Sequence, residues 1–267
     1  MLVRLPQPYD FAVSTARFDV YGLDRATVWL DGAIHRVLAG REVRIGAADG
    51  GVDVEPHDDE IERQVLRFLG LPFDLEGFAA WAAPDPTLGP LVAALAGFRP
   101  TLQTNPFEAL VTSITAQQVS LQSAAAIRSR FIERYGVAHR QAHAFPERER
   151  VAAATEADLF ALGFSNRKAE YVVGLARSDL DLDALATLPD EEVTARLVAL
   201  RGLGEWTADW FLARHLGRAT AWPAGDLGLR KAVEHFLGAV DVREVAARFH
   251  PFQNLSAHYL LVGLRVP

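Results

Sequence analysis

The 267-residue sequence contains no cysteine, and its lysines are limited to Lys168 and Lys231. The absence of cysteine excludes disulfides, thiolate zinc sites and cysteine-ligated iron–sulfur clusters, and it is typical of a reducing compartment. The apolar run 91–98 is far too short to span a bilayer, and the first residues lack an apolar segment of signal-peptide length. The eight histidines show no spacing typical of metal ligands. We therefore expect a cytoplasmic protein that does not associate with membranes.

An excess of basic residues is also lacking. The formal net charge is −7, and residues 1–95 carry 8 Lys and Arg against 15 Asp and Glu, whereas residues 96–267 carry 19 of each. A nucleic-acid partner would therefore be held mainly by backbone amides and stacking, with a shallow dependence of affinity on salt.

Two structural patterns divide the chain. Residues 10–56 alternate as strands do, and two hairpin signals lie in this range, one with its turn at Asp31-Gly32 and one at Asp49-Gly50-Gly51. Helical periodicity begins after Asp58 and continues from about residue 85 to the end. These patterns predict a mainly α protein with a small N-terminal α+β domain over residues 1–85 and a helical region over residues 86–267.

One stretch carries the clearest chemical signal: Leu200-Arg201-Gly202-Leu203-Gly204-Glu205-Trp206-Thr207-Ala208. It reads as a helix end, a Gly-x-Gly turn and a new helix whose first amides are free to bind a phosphate. An ordinary turn between two helices is the simpler alternative. A single carboxylate, Asp226, follows at the next helix start, where it either stabilises developing positive charge or only caps the helix.

These motifs resemble the helix–hairpin–helix superfamily of DNA glycosylases, and within it the AlkA-type 3-methyladenine DNA glycosylases. The hairpin would occupy about 189–216, and a loop at 222–226 would end in the catalytic Asp226. The supporting segments are Phe107-Glu108-Ala109-Leu110, Ile114-Thr115-Ala116-Gln117-Gln118-Val119-Ser120, Leu162-Gly163-Phe164, Arg167-Lys168-Ala169-Glu170-Tyr171, Pro251-Phe252-Gln253-Asn254 and Pro8-Tyr9-Asp10-Phe11. The resemblance implies two helical subdomains around a cleft.

The residue at position 206 implies the subclass. Lyases of this superfamily have a lysine there, which forms a Schiff base with the sugar, whereas this chain has Trp206. The resemblance implies a monofunctional enzyme whose base pocket is lined by Trp206 and Trp210, with Phe252 and Phe18 as further candidates. Plain core packing is the alternative for these rings, although aromatic faces do attract cationic alkylated bases.

The resemblance also assigns the contacts with DNA. Gln118 would fill the space left by the flipped nucleotide, with Gln117 beside it and Ser120 near a phosphate; the alternative is a pair of solvated glutamines. The hairpin would contribute Gly202, Leu203, Gly204, Glu205 and Thr207. Backbone carbonyls of Val198, Leu200 and Leu203 are a candidate site for Na⁺ or K⁺, and no other cofactor is expected.

The expected function is base excision repair: a monomer would flip an alkylated purine out of double-stranded DNA and hydrolyse its glycosidic bond, leaving an abasic site. Two alternatives remain open. The enzyme could prefer deaminated or oxidised neutral bases, or the hairpin could belong to a non-catalytic protein that binds DNA structures.

Overall fold

The computed structural model describes residues 1–20 and 22–265, which form an N-terminal sheet followed by a largely helical body. The strands are β1 Leu2–Arg4, β2 Thr27–Leu30, β3 Ala33–Leu38, β4 Arg41–Ala48, β5 Gly51–Glu55, β6 Val137–Ala138 and β7 His143–Ala144. The α-helices are α1 Phe11–Thr15, α2 Arg17–Val20, α3 Asp59–Phe68, α4 Leu75–Ala82, α5 Leu88–Ala94, α6 Pro106–Ala116, α7 Leu121–Tyr135, α8 Arg148–Ala152, α9 Glu156–Ala161, α10 Asn166–Arg177, α11 Asp190–Val198, α12 Glu205–Phe211, α13 Leu227–Leu237 and α14 Gln253–Gly263. The predicted fold class is confirmed.

The N-terminal sheet is antiparallel, with the strand order β1-β5-β4-β3-β2. Both predicted hairpins are present, as β2–β3 and β4–β5, because glycines at their turns adopt the positive φ that the turns require. Residues 11–15 and 17–20 are helical, so the strand pattern predicted from residue 10 was wrong over this segment. The Asp10 carboxylate caps α1 by accepting a hydrogen bond from the Val13 amide at 2.9 Å.

Three hydrophobic cores organise residues 1–20 and 22–265. The first core is formed by helices α6–α12, the second by α4, α5, α13 and α14, and the third by the sheet with α1 and α3. The second core thus joins segments from both ends of the chain. The chain enters the first core between Leu102 and Phe107 and leaves it between Ala221 and Trp222.

The sheet core ends near residue 70 among the described residues. Leu69 belongs to the sheet core, whereas Phe73 and Phe78 are buried in the second helical core. The domain boundary at residue 85 remains a prediction, and this change of packing favours a division closer to residue 70.

A buried ionic network attaches the sheet to the first helical core. Glu108 on α6 is 2% exposed and pairs with Arg36 from β3 and Arg128 from α7. Arg128 also pairs with Asp24. Backbone contacts reinforce the attachment, because the His143 amide donates to the Arg25 carbonyl at 2.7 Å. Within residues 1–20 and 22–265, none of the helices combines the length and apolarity needed to span a bilayer.

Candidate active site

The hairpin between α11 and α12 depends on the conformation of Gly202. Its φ is +89°, and a Cβ at this position would come 2.0 Å from Cγ of Tyr171. The ring of Tyr171 on α10 therefore fills the space beside the glycine. Any larger residue would meet both backbone strain and a steric clash, so the fold itself requires glycine at position 202.

Gly204 differs from Gly202, because the fold does not require a glycine there. Its φ is −100°, and no atom of the described structure lies within 4 Å of a Cβ built on it. Gly204 precedes α12 without a side-chain cap, and its carbonyl accepts the hydrogen bonds of Thr207 and Ala208. The amides of Glu205 and Trp206 lie in the first turn of α12, before these bonds begin, where an α-helix leaves its amides without partners in the helix. The packing of the described residues therefore leaves room for a side chain at position 204.

The other hairpin residues are divided between interior and surface. Leu203 is 3% exposed and packs in the first core, so it anchors the turn to the interior. Thr207 is 1% exposed, and its hydroxyl accepts a hydrogen bond from Gln117 at 3.5 Å. Its side chain therefore faces the interior. Glu205 is exposed and lies 4.0 Å from the guanidinium of Arg243.

The turn between α6 and α7 lies beside the hairpin. Gln117 caps the end of α6, and its Nε2 donates to the Gly202 carbonyl at 3.1 Å. Lys168 supports the same helix end by donating from Nζ to the Thr115 carbonyl at 2.8 Å. Gln117 is thus engaged with the protein, whereas the side chain of Gln118 is exposed.

Gln118 occupies a left-handed backbone conformation, with φ of +54°. Such a conformation is uncommon for a residue other than glycine and is found at functional turns. Exposed Val119 and Leu121 follow it, and Ser120 caps α7 by accepting from the Ser123 amide at 3.2 Å. The turn therefore presents a polar side chain flanked by apolar groups to the solvent.

Asp226 lies where the chain has just passed from the first helical core to the second. Its Oδ1 accepts a hydrogen bond from the Leu229 amide at 2.9 Å, and its own amide donates to the Pro223 carbonyl at 2.8 Å. The carboxylate is therefore a helix cap with a fixed orientation. It is half-buried, and the next residue, Leu227, is 63% exposed, so the site is open to solvent on one side.

Trp206 packs against the loop that carries Asp226. A Cβ built on Gly225 would come 3.0 Å from Cδ1 of Trp206 and 3.4 Å from its Cβ. The indole thus lies next to the residue that precedes Asp226. The structure therefore brings together two of the predicted site residues, one from the hairpin and one from the loop.

The other three aromatic candidates are dispersed. Trp210 is half-buried against the first core, and Phe252 packs in the second core with ring centroids 5.7 Å from Phe78 and 5.5 Å from Trp81. Phe18 packs on the sheet core, 5.6 Å from the ring of Phe68. No ring contact joins the four candidates within the described ranges. Their place in a base pocket remains a prediction.

Sequence reasoning missed a pair of residues next to this region, Arg214 and His258. Arg214 lies on a π turn, Leu212–Leu216, that continues α12, and its Nη1 is 2.6 Å from Nε2 of His258 on α14. Burial and, to a smaller extent, the positive charge of Arg17 lower the pKa of Arg214 to about 10, and the negative charge of Asp226 acts in the opposite direction. Burial and, to a smaller extent, the positive charge of Arg214 hold the pKa of His258 well below 6.5. No signal in the sequence identifies this pair, because the two residues are 44 positions apart and meet only through the fold.

A further carboxyl on α12 has an altered acidity. Burial and, to a smaller extent, the negative charge of Glu205 raise the pKa of Asp209 to about 6, and the positive charge of Arg243 acts in the opposite direction. In the part of the chain that the structure describes, no group of three or more His, Asp or Glu side chains is gathered as a metal site requires. The carbonyl of Leu200, one of the three candidate cation ligands, accepts a hydrogen bond from the Leu203 amide at 3.1 Å.

The hairpin, the turn with the exposed glutamine and the capped carboxylate all lie in the part of the chain that matches a family of DNA repair proteins. The profile of the "HhH-GPD superfamily base excision DNA repair protein" matches residues 111–251, which is more than half of the chain. The chain belongs to this superfamily.

Individual relatives extend the match beyond the hairpin. The chain is 30% identical over 216 residues to the DNA-3-methyladenine glycosylase of Bacillus subtilis, covering 76% of this chain and 71% of that protein. It is 30% identical over 262 residues to the probable bifunctional transcriptional activator/DNA repair enzyme AlkA of Mycobacterium tuberculosis, covering 89% of this chain but 51% of that protein. The solved 3-methyladenine DNA glycosylase of Archaeoglobus fulgidus superposes with a TM-score of 0.88 at 27% identity, covering 99% of this chain and 98% of that one.

Proposed function

We propose that this protein is a monofunctional DNA N-glycosylase that removes alkylated purines, of the 3-methyladenine and 7-methylguanine type, from double-stranded DNA. Its action would leave an abasic site for other enzymes. The observation that supports this most directly is the placement of Trp206 against the loop of Asp226, where a lyase would have its lysine. The names of the bacterial and archaeal relatives support the same substrate class.

In the proposed mechanism the hairpin holds a phosphate on the amides after Gly204, and Gln118 enters the stack as the damaged nucleotide leaves it. The extruded purine lies beside the indole of Trp206, whose face attracts its positive charge. Breaking the bond between C1′ and the base places positive charge on the sugar, which Asp226 stabilises until water attacks C1′. The Leu229 amide keeps that carboxylate oriented.

Asp226→Asn tests the catalytic assignment. Asparagine caps a helix as well as aspartate does, so the fold should persist while base release falls by about a hundredfold or more. Asp74→Asn is the matched control, because Asp74 also caps a helix, accepting from the Gly77 amide at 2.9 Å, but does so on α4. DNA binding should survive in both variants. Release of 7-methylguanine by Asp226→Asn at the wild-type rate would refute this mechanism, and a wild type that binds DNA but releases no base would indicate a non-catalytic binder.

We further propose that the protein acts as a monomer in the cytoplasm and that its reaction needs no cofactor. The carbonyls of Val198, Leu200 and Leu203 are proposed to hold Na⁺ or K⁺ at the hairpin, which would stabilise its turn near a phosphate. Replacing both ions by tetraethylammonium at constant ionic strength should weaken DNA binding if this is so. Unchanged affinity would refute the cation site and leave the glycosylase proposal intact.

A further inference from the structure

Lys168 is a buried cation at the end of α6, beside the turn that presents Gln118. It is 8% exposed, and its Nζ donates to the Thr115 carbonyl at 2.8 Å. Thr115 lies in the last turn of α6, where a helix leaves its carbonyls without amide partners and carries the negative end of its dipole. The ammonium group therefore contacts the backbone three residues before Gln118.

No carboxylate compensates the charge of Lys168. None of the ion pairs within residues 1–20 and 22–265 includes this lysine, and Glu170, on the same helix, pairs with Arg201 instead at 2.9 Å. Lys168 also lies in the first turn of α10, at the positive end of that helix, where a cation is disfavoured. Burial and this position both reduce stability, so the favourable partner of the ammonium group is the carbonyl end of α6.

The turn after α6 adopts a backbone conformation that its residues disfavour. Gln117 has φ of −57° and ψ of 123°, and Gln118 follows with φ of +54°. These angles resemble those of a type II turn, in which the third residue is normally glycine or asparagine. A glutamine there is strained, so the contacts around the turn have to maintain its conformation.

Two side chains hold this turn from the protein side. Gln117 donates to the Gly202 carbonyl at 3.1 Å, and Lys168 fixes the Thr115 carbonyl. Tyr171, one turn after Lys168 on α10, fills the space beside Gly202. The first turns of α10 therefore support both the turn after α6 and the hairpin.

We infer that Lys168 is a positioning residue for the proposed wedge: through the Thr115 carbonyl it maintains the turn from which Gln118 enters the duplex. This inference rests on the proposed glycosylase activity and adds to it the group that orients Gln118. A single strand has no partner base and leaves no gap to fill. Lys168 should therefore be needed for release of a base from duplex DNA and not for release from single strands.

Lys168→Met tests the inference in single-turnover release of 7-methylguanine, because methionine keeps most of the length of the lysine and removes its charge. The rate on duplex DNA should fall by at least about tenfold and the rate on single strands by less than about threefold. The lost hydrogen bond and the removal of an uncompensated buried charge should roughly cancel, so the melting temperature should stay within about 3 °C of the wild type.

Arg177→Met is the matched control on the same helix. Arg177 also donates to carbonyls at the end of a helix, those of Ala152 and Ala154 after α8, at 2.9 and 2.8 Å. The ratio of the duplex rate to the single-strand rate should equal that of the wild type. A fall in this ratio as large as in Lys168→Met would show that the effect is not specific to the turn after α6.

Combination with Gln118→Gly tests whether Lys168 acts through Gln118. On duplex DNA, Lys168→Met should add less than about twofold to the loss that Gln118→Gly causes alone, because both substitutions disable the same wedge. This comparison needs no activity on single strands. If Lys168→Met fails to fold, Lys168→Gln replaces it, since its side chain is one bond shorter and uncharged, and the same results are expected.

The outcomes separate the inference from the function it rests on. Equal loss on duplex and single strands, or additive losses in the double variant, would overturn the positioning role. A wild-type duplex rate in Gln118→Gly would refute the wedge and this inference together but leave the glycosylase proposal intact. A wild type that releases 7-methylguanine from neither substrate would refute the glycosylase proposal itself.

Discussion

The Nε2 of Gln117 lies 3.1 Å from the carbonyl oxygen of Gly202, which connects the turn after α6 directly to the hairpin. The same amide group lies 3.5 Å from the hydroxyl of Thr207. Gln117 thus holds the two turns that are proposed to contact DNA in a fixed relation. Its role is positioning, whereas the neighbouring Gln118 is the side chain free to enter the duplex.

The two hairpin glycines should respond differently to alanine. Gly202→Ala should lower the free energy of unfolding by about 2 kcal/mol or more, because it combines a positive φ with a clash against Tyr171. Gly204→Ala should change stability by less than about 1 kcal/mol but weaken DNA binding, because its methyl group would face the approaching phosphate. Urea denaturation and fluorescence anisotropy measure the two effects. Unchanged DNA affinity in Gly204→Ala would contradict the proposed phosphate contact.

Gln118→Gly should separate activity from stability. Relief of the left-handed conformation, about 1 kcal/mol, should roughly offset the entropic cost of glycine, so the free energy of unfolding changes little. Release of 7-methylguanine from duplex DNA should fall markedly, and release from single-stranded DNA much less, because only the duplex needs its gap filled.

Asp31→Gly is the control for that experiment. Asp31 is an exposed turn residue in the sheet with φ of +50°, so the same backbone change occurs away from the proposed DNA surface. Its activity on duplex DNA should equal that of the wild type. Equal losses on duplex and single strands in Gln118→Gly would argue against a wedge.

The buried Glu108 should be essential to the fold. Glu108→Ala leaves Arg36 and Arg128 buried without their shared partner and should cost about 3–5 kcal/mol. The exposed pair of Glu192 and Arg196 provides the comparison, since Glu192→Ala should cost less than about 1 kcal/mol. Thermal and urea denaturation of the two variants measure this difference. A loss below about 1 kcal/mol in Glu108→Ala would show that the network does not hold the sheet in place.

Because of Asp209, the free energy of unfolding should fall as the pH rises from about 4 to 6. Its pKa is about 6 in the folded protein and 3.8 in the reference state, so over this interval the folded state keeps a proton that the unfolded state has lost. Asp209→Asn should remove this dependence and raise the free energy of unfolding at pH 7 by about 1 kcal/mol, allowing for partial exposure. Melting curves from pH 4 to 7.5 test this. A wild-type melting temperature that rises over this interval, with no difference in Asp209→Asn, would contradict it.

The sequence predicted the family, both sheet hairpins and the mainly helical fold, because turn glycines and helical periodicity are local signals. Prediction from the sequence failed where a secondary-structure element is only a few residues long. Helices α1 and α2 contain five and four residues, too few for a 3.6-residue period to emerge from an alternating pattern. The strand β1 is similarly short and is defined by its pairing with β5.

The same limit applies to the candidate site. Trp206 and Asp226 lie in recognisable motifs, and the structure places Trp206 against the residue before Asp226. Arg214 has no motif, because its environment is formed by His258, 44 residues further along the chain. The aromatic candidates Phe252 and Phe18 illustrate the opposite difficulty, since a ring in a sequence does not reveal whether it packs inward or lines a cavity.

The passage of the chain between its two helical cores has a mechanical consequence. The hairpin belongs to the first core, while the helix that Asp226 caps belongs to the second, and the chain crosses between them at Ala221 and Trp222. A small rotation of one core against the other would move the carboxylate relative to the hairpin backbone and would loosen the contact between Trp206 and Gly225. The position of the Asp226 carboxylate relative to the hairpin therefore depends on how the two helical cores pack on either side of the connection at Ala221 and Trp222.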